Sequence, residues 1–154
     1  MNDHKQRALD LVVKCTDPAQ LRKIAANARR KGEEEVRRAA QRRLYEILPS
    51  EKPGTLEYDV WQSIHALEGE LSDERGKTTR LSRTRQKISR DGEKQTVSDL
   101  ILGKVSDGFR MLVDRHLPEL TFEAVALKHP SRFDERVLKA AADRLATEGF
   151  HFTS

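Results

Sequence analysis

Several residue classes that often reveal a function are scarce in this chain. One cysteine, Cys15, occurs among 154 residues, so no disulfide can form within the chain and we expect a reducing, cytoplasmic environment. Aromatic residues make up only 5%, which disfavours the stacking platforms that bind single-stranded nucleic acid. No apolar run follows Met1, and none approaches about 18 residues, so we expect neither a signal peptide nor a membrane span.

Charge and helical spacing dominate what is present. Charged residues make up 35% of the chain and hydrophobic residues 36%, with a net charge of +4. The isoelectric point of about 9.3 is typical of proteins that bind polyanions. Because Leu, Ile, Val and Ala recur with helical spacing, we predict an all-α fold. The expected architecture is a compact bundle of about seven to eight short helices. Two similar helical hairpins, N- and C-terminal, would flank a central basic helix.

One stretch is expected to divide the chain. Residues 49–54 read P-S-E-K-P-G, and two prolines and a glycine in six residues exclude a helix there. We therefore predict an N-terminal hairpin region over 1–48, a linker over 49–54 and a helical domain over 55–154. Packing of both parts as one domain is left open.

Two parts of the chain match at an offset of 101 residues. Residues 36–44, V-R-R-A-A-Q-R-R-L, align with 137–145, V-L-K-A-A-A-D-R-L, and five of nine positions are identical. Each copy is predicted to be a helix, a turn and a helix, with small alanines where the helices approach closely. In spacing and small residues the hairpin resembles a HEAT-like unit, and such units stack to bury a shared core. Duplication and convergence both explain the match.

The segment 75–94 carries the strongest contact signal, and we call it the basic segment. From residue 77 to 94, seven basic residues face two acidic ones, a local charge of +5. The preceding residues 51–76 hold two basic and seven acidic residues, a local charge of −5. Arginine matches phosphate and guanine edges, and the interleaved Thr, Ser and Gln side chains are frequent phosphate partners. An exposed charged helix without a ligand is the competing explanation.

The basic segment is predicted to be helical over about 79–90, and Thr96 to cap the next helix. A second basic surface is expected at the C-terminal end of the second helix, within residues 1–50, which carry twelve basic and seven acidic residues. The candidate nucleic-acid-binding residues are Lys77, Arg80, Arg83, Arg85, Lys87, Arg90, Arg29, Arg30 and Lys31.

Catalytic and cofactor motifs are weak. Gly76-Lys77-Thr78 resembles the end of a phosphate-binding loop, but Leu71 stands where that loop needs a glycine. The five histidines are scattered, and no spacing typical of a metal site occurs. We therefore expect no cofactor and no metal. A metal-dependent nuclease would need a carboxylate cluster. The candidate carboxylates are Glu57, Asp59, Glu68 and Glu70. Because they do not share one helix face, the sequence disfavours an enzyme but leaves that alternative open.

Two pairs of helices could form a helix-turn-helix, 79–90 with 96–103 and 97–103 with 107–115. The sequence thus favours a nucleic-acid-binding helical protein, with duplex DNA preferred over RNA, that regulates or assists DNA processing. The alternative is a helical interaction module that binds an acidic protein or self-associates as a homodimer. In that case the −5 and +5 blocks would pair between chains.

Overall fold

Helical spacing in the sequence corresponds to helices throughout the structure. In the computed structural model, which describes residues 3–152, nine α-helices and two single-turn 3-10 helices occur, and that range contains no strand. The predicted all-α fold is confirmed, with one or two more helices than expected. Nor does any helix in this range combine the length and the apolar character needed to cross a bilayer.

The chain divides into two compact units between Ser50 and Glu51. The N-terminal unit contains α1 (Asp3–Lys14), α2 (Pro18–Lys31) and α3 (Glu34–Ile47). The C-terminal unit contains α4 (Leu56–Arg75), α5 (Ser82–Asp91), α6 (Glu93–Leu102), α7 (Asp107–Asp114), α8 (Phe122–Lys128) and α9 (Glu135–Thr147). The two 3-10 helices, Pro118–Leu120 and Pro130–Arg132, precede and follow α8.

The N-terminal unit is built on the α2–α3 hairpin, against which α1 packs through α3. Asp17 caps α2 by accepting a hydrogen bond from the Ala19 amide at 3.0 Å, and Pro18 occupies the first helical position, where proline is favoured. Gly32 ends α2 in the left-handed region at φ 72°. Apolar side chains from all three helices form the buried interior: Val12, Leu21, Ala25, Ala28, Val36, Ala40, Leu44 and Tyr45.

The C-terminal unit is organised around α4, its longest helix. Thr55 caps α4 by accepting from the Tyr58 amide. An apolar stripe on this helix is buried along its whole length and consists of Leu56, Val60, Ile64, Leu67 and Leu71. Helices α6, α7 and α8 contact α4, and α9 packs on α8 and α6. The largest core cluster of this unit therefore combines side chains from α4, α5, α6, α8 and α9.

Two predicted helix starts were wrong. Helix α5 begins at Ser82 rather than near Thr79, because the side chains of α4 hold the preceding backbone in a non-helical conformation. Ser72 Oγ accepts the Thr79 amide at 2.8 Å, and Glu68 accepts the Leu81 amide at 2.8 Å. Helix α6 begins at Glu93, so Thr96 lies inside it and is fully buried instead of capping it.

A single residue joins α5 to α6. Gly92 has φ 88° and ψ 166°, a conformation that only glycine adopts readily. The first predicted helix-turn-helix pair placed its turn over residues 91–95. In the structure, Asp91 still belongs to α5 and residues 93–95 belong to α6, so Gly92 alone connects the two helices. This connection is shorter than the three- to four-residue turn of a helix-turn-helix.

Both hairpins bury their matching residues. Val36, Ala40 and Leu44 of α3 are buried, as are Val137, Ala141 and Leu145 of α9. Their connections differ, however, because Gly32 and Glu33 join α2 to α3, whereas six residues that include a 3-10 turn join α8 to α9. The shared pattern thus places the same residue types in both cores.

Enlarging Ala141 tests the close helix packing that the repeat implies. Ala141 is completely buried, so Ala141→Leu should lower the free energy of unfolding by about 1–3 kcal/mol through overpacking. The neighbouring Ala142 is exposed on the same helix, so Ala142→Leu should change it by no more than about 0.5 kcal/mol. Urea denaturation followed by circular dichroism measures both values. Equal effects would show that α9 is not tightly packed at Ala141.

Candidate nucleic-acid interface

The basic segment forms an exposed loop followed by a short surface helix. Lys77 and Arg80 are exposed on the loop between α4 and α5. On α5, Arg83 and Arg90 are exposed seven residues apart and therefore share one helix face. The opposite face carries Ile88, which is buried in the core. Four cationic side chains thus extend from the loop and the outward face of α5.

These four side chains contribute little to the stability of the fold. Within residues 3–152, the side chains of Lys77, Arg80 and Arg83 form no hydrogen bond and no ion pair. Arg90 contacts only the adjacent Asp91, at 3.3 Å, and its side chain is 69% exposed. We call Lys77, Arg80, Arg83 and Arg90 the open cations, since a ligand could bind them without breaking a buried contact.

Arg85 differs because it binds inside the unit. Its guanidinium donates to both carboxylate oxygens of Glu68, from Nε at 2.7 Å and from Nη2 at 2.6 Å. The same group lies 5.2 Å from the centre of the Trp61 ring, a cation–π distance. A phosphate could bind Arg85 only by competing with a bidentate carboxylate. The structure therefore gives this predicted contact residue an internal partner.

Glu68 also supplies the cap that α5 lacks. Leu81 stands at the N-cap position and has no side chain that could accept a hydrogen bond. The Glu68 carboxylate accepts from the Leu81 amide, at the positive end of the α5 dipole. Burial raises the pKa of Glu68, but the Arg85 guanidinium and the Leu81 amide outweigh it and leave the pKa lowered. Glu68 therefore stays ionised and fixes where α5 begins.

Trp61 and His65 extend this contact toward α6. The Trp61 indole nitrogen donates to Glu93 Oε2 at 3.0 Å, and the His65 ring lies 6.2 Å from the Trp61 ring. Burial lowers the pKa of His65, and the positive charges of Arg85 and Arg80 contribute. Trp61, His65 and Glu68 follow one another at i, i+4 and i+7, so one face of α4 carries all three. We call them, with Arg85, the anchoring cluster.

The anchoring cluster was not predicted from the sequence. The signal was present in the adjacent charge blocks, because a −5 helix that precedes a +5 helix can pair with it inside one chain. The sequence-based hypothesis paired these blocks only between chains. Glu68 was considered solely as a candidate nuclease carboxylate.

Lys87 is held by two acidic side chains. Its ammonium contacts Asp91 at 2.9 Å and Asp99 of α6 at 2.7 Å. These hydrogen bonds raise the pKa of Lys87, and the one to Asp99 has the larger effect. Lys87 thus links α5 to α6, and two carboxylates offset its charge locally.

The second predicted basic surface is exposed in the N-terminal unit. Arg29, Arg30 and Lys31 occupy the last turn of α2, where cations favourably meet the negative end of the helix dipole. Arg30 also contacts Asn27. Residues 1–50 carry twelve basic and seven acidic residues, whereas residues 51–154 carry 17 basic and 18 acidic ones. The net positive charge of the chain therefore belongs to the N-terminal unit. The positive charge of the basic segment is balanced by acidic residues elsewhere in the C-terminal unit.

The carboxylates considered for a nuclease have other partners. Glu57 contacts Arg132 at 3.4 Å, Asp59 contacts His129 at 2.6 Å, and Glu68 binds Arg85. Among the described residues, no group of three or more His, Cys, Asp or Glu is arranged to hold a metal ion. This geometry brings the acids of α4 to structural contacts rather than to one another.

Replacing Glu68 tests the anchoring cluster. Glu68→Gln removes the charge that Arg85 faces, so the free energy of unfolding should fall by about 2 kcal/mol, measured by urea denaturation at pH 7. Glu57→Gln is the matched control, because its contact with Arg132 is exposed and should be worth about 0.5 kcal/mol or less. Similar losses in both variants would contradict a special role for Glu68.

The stabilisation from Glu68 should depend on pH. Because its pKa in the folded chain is lowered from 4.5, its contribution is complete above that value and is lost as the pH falls through the lowered pKa. The stability difference between the unchanged chain and Glu68→Gln should therefore be smaller at pH 3 than at pH 7. A difference that widens on acidification would mean that the cost of burying Glu68 outweighs the pairing.

Comparisons with known proteins add no assignment. No family model matches the chain, and neither a curated protein nor a solved structure matches it. Any function must therefore be argued from the chemistry of the surface itself.

Proposed function

We propose that this protein binds nucleic acid, in the form of duplex DNA, through the open cations of the basic segment. The observation that carries the proposal is that Lys77, Arg80, Arg83 and Arg90 are exposed on one short loop and helix while Arg85 fixes that helix to α4. A surface that is already ordered loses little conformational entropy when it binds. Binding would support regulation or an accessory role in DNA processing.

The shape of α5 favours a duplex groove. Ten helical residues span about 15 Å, and the major groove of B-DNA is wide enough to admit an α-helix. The outward face presents Arg83, Gln86 and Arg90 at i, i+3 and i+7, a combination that can contact phosphates and base edges. The major groove of A-form RNA is too narrow for such side chains, which favours DNA.

The position of Trp61 also favours a duplex. Base stacking on single strands needs an exposed aromatic ring. Trp61 is partly buried, donates to Glu93 and is covered by Arg85, so its ring is already occupied. The backbone of a duplex requires cations rather than rings, and the basic segment provides them.

The exposed cations Arg29, Arg30 and Lys31 are proposed as a second anchor. They lie in the unit that carries the net positive charge, and long-range attraction to a polyanion depends on such charge. We expect them to add affinity without base specificity.

The salt dependence of binding tests this proposal. The four open cations should contribute roughly −4 to the log–log salt slope, measured by fluorescence anisotropy with a labelled duplex. The triple variant Arg80→Gln, Arg83→Gln, Arg90→Gln should flatten the slope by roughly 3. The control Lys52→Gln, Lys104→Gln, Arg136→Gln removes three other exposed cations of the same unit, whose side chains are unpaired, and should change the slope much less.

Two outcomes would overturn the proposal. One is no binding at about 50 mM salt, where phosphate contacts are strongest. The other is an equal change of slope in both triple variants, which would show attraction by overall charge rather than by the basic segment.

Self-association is the second candidate, and one observation favours it. Helix α1 exposes two large apolar side chains, Leu11 at 48% and Val13 at 69%. The two residues stand at i and i+2 and lie on different faces of α1, where each could contribute its own contact to another protein. A molar mass that rises with protein concentration, without nucleic acid, would support this candidate. Pairing of Glu68 with Arg85 inside one chain leaves less charge for pairing between chains.

A further inference from the structure

A cavity lies inside the C-terminal unit, beneath the start of α5. Its volume is about 340 Å³, within the range of sites that hold small molecules. Buried apolar side chains form its wall, among them Ile64 and Leu67 of α4 and Leu112 of α7. Asp107, at the start of α7, is exposed and marks the side that opens to solvent.

One hydroxyl that lines this cavity has no hydrogen-bond partner within residues 3–152. Ser63 lines the cavity and is only 4% exposed, yet its hydroxyl forms no hydrogen bond with any described residue. Among the described residues, Thr96 Oγ1 is the buried side-chain atom without a hydrogen-bond partner, whereas the Ser63 oxygen retains access to the space of the cavity. The Ser63 hydroxyl is therefore available to a molecule inside the cavity.

Two carboxylates set the charge preference of the cavity. Glu123 lines it and is 3% exposed, and its Oε2 accepts from Arg144 at 2.9 Å. Burial raises the pKa of Glu123, against the opposing effect of Arg144. Arg144 offsets the charge of Glu123, so Asp107 supplies the net negative charge; the lining residues themselves include no lysine, arginine or histidine. Such a lining favours a cationic ligand and repels an anionic one.

We propose that this cavity binds a small molecule that combines an apolar body with a protonated amine. The apolar body would lie against Ile64, Leu67 and Leu112, and the amine would donate to the Ser63 hydroxyl and the carboxylates. This inference does not depend on nucleic-acid binding. Leu81 and Thr84, at the start of α5, also line the cavity, so an occupant would touch the segment that carries the open cations.

Three isosteric probes distinguish the expected chemistry from nonspecific apolar binding. They are 2-phenylethylamine, 2-phenylethanol and phenylacetate, which differ mainly in the charge of one terminal group. The full chain, labelled with 15N, would be titrated with each probe and followed by NMR. The amine should shift the amide signals of Ser63, Thr84 and Gly108 and saturate with a Kd of roughly 1 mM. Phenylacetate should bind at least about tenfold more weakly, with the alcohol between them.

Variants of Ser63 test whether the NMR shifts arise from binding inside the cavity. Ser63→Leu fills the space and should abolish the shifts, whereas Ser89→Leu adds the same side chain at an exposed position of α5 and should retain them. Should Ser63→Leu fail to fold, Ser63→Ala keeps the space and should weaken binding about threefold or more by removing the hydroxyl.

Three results would overturn the inference. The first is no shift at the lining residues in about 10 mM amine, well above the expected Kd. The second is binding of phenylacetate as tight as that of the amine. The third is unchanged amine binding in Ser63→Ala together with a folded Ser63→Leu.

Discussion

The bidentate contact between Glu68 and Arg85 is the interaction on which the candidate interface depends. Glu68 fixes the position of α5 through Arg85 and the beginning of α5 through the Leu81 amide. Without this carboxylate, α5 would keep its buried Ile88 and the Lys87 contact with α6 but would lose the hydrogen bonds that fix it to α4. Burial discourages the ionisation of Glu68, and the two donors reverse that effect. The result is a helix whose inner face is fixed and whose outer face is unoccupied.

The same contact separates the cations of the basic segment into two groups. Arg85 and Lys87 hold α5 against α4 and α6. Lys77, Arg80, Arg83 and Arg90 extend outward and form no buried contact with any residue that the structure describes. Charge density along the sequence treats all six as equal. Their different roles follow from the direction in which each side chain leaves the backbone and from the carboxylates within its reach.

The cavity beneath α5 adds a second feature to the same region. Its lining includes the start of α5, two carboxylates and the Ser63 hydroxyl, which has no partner among the described residues. Polar groups in an apolar cavity restrict which molecules can enter, because each must be matched when water is excluded. The exposed and buried sides of α5 therefore offer contacts of opposite charge preference, one for polyanions and one for an amine.

The sequence alone determined the helical class, the stripe on α4, the caps at Asp17 and Thr55 and the core positions shared by the two hairpins. These features depend on local spacing and capping chemistry, which neighbouring residues specify. The sequence also located the basic segment, because charge density can be counted. Tertiary structure alone decided that α5 begins at Ser82, that Thr96 is buried and that Arg85 faces inward. Each of these depends on a partner on another helix, such as Glu68 thirteen residues before Leu81. The order of residues does not specify how such distant groups meet.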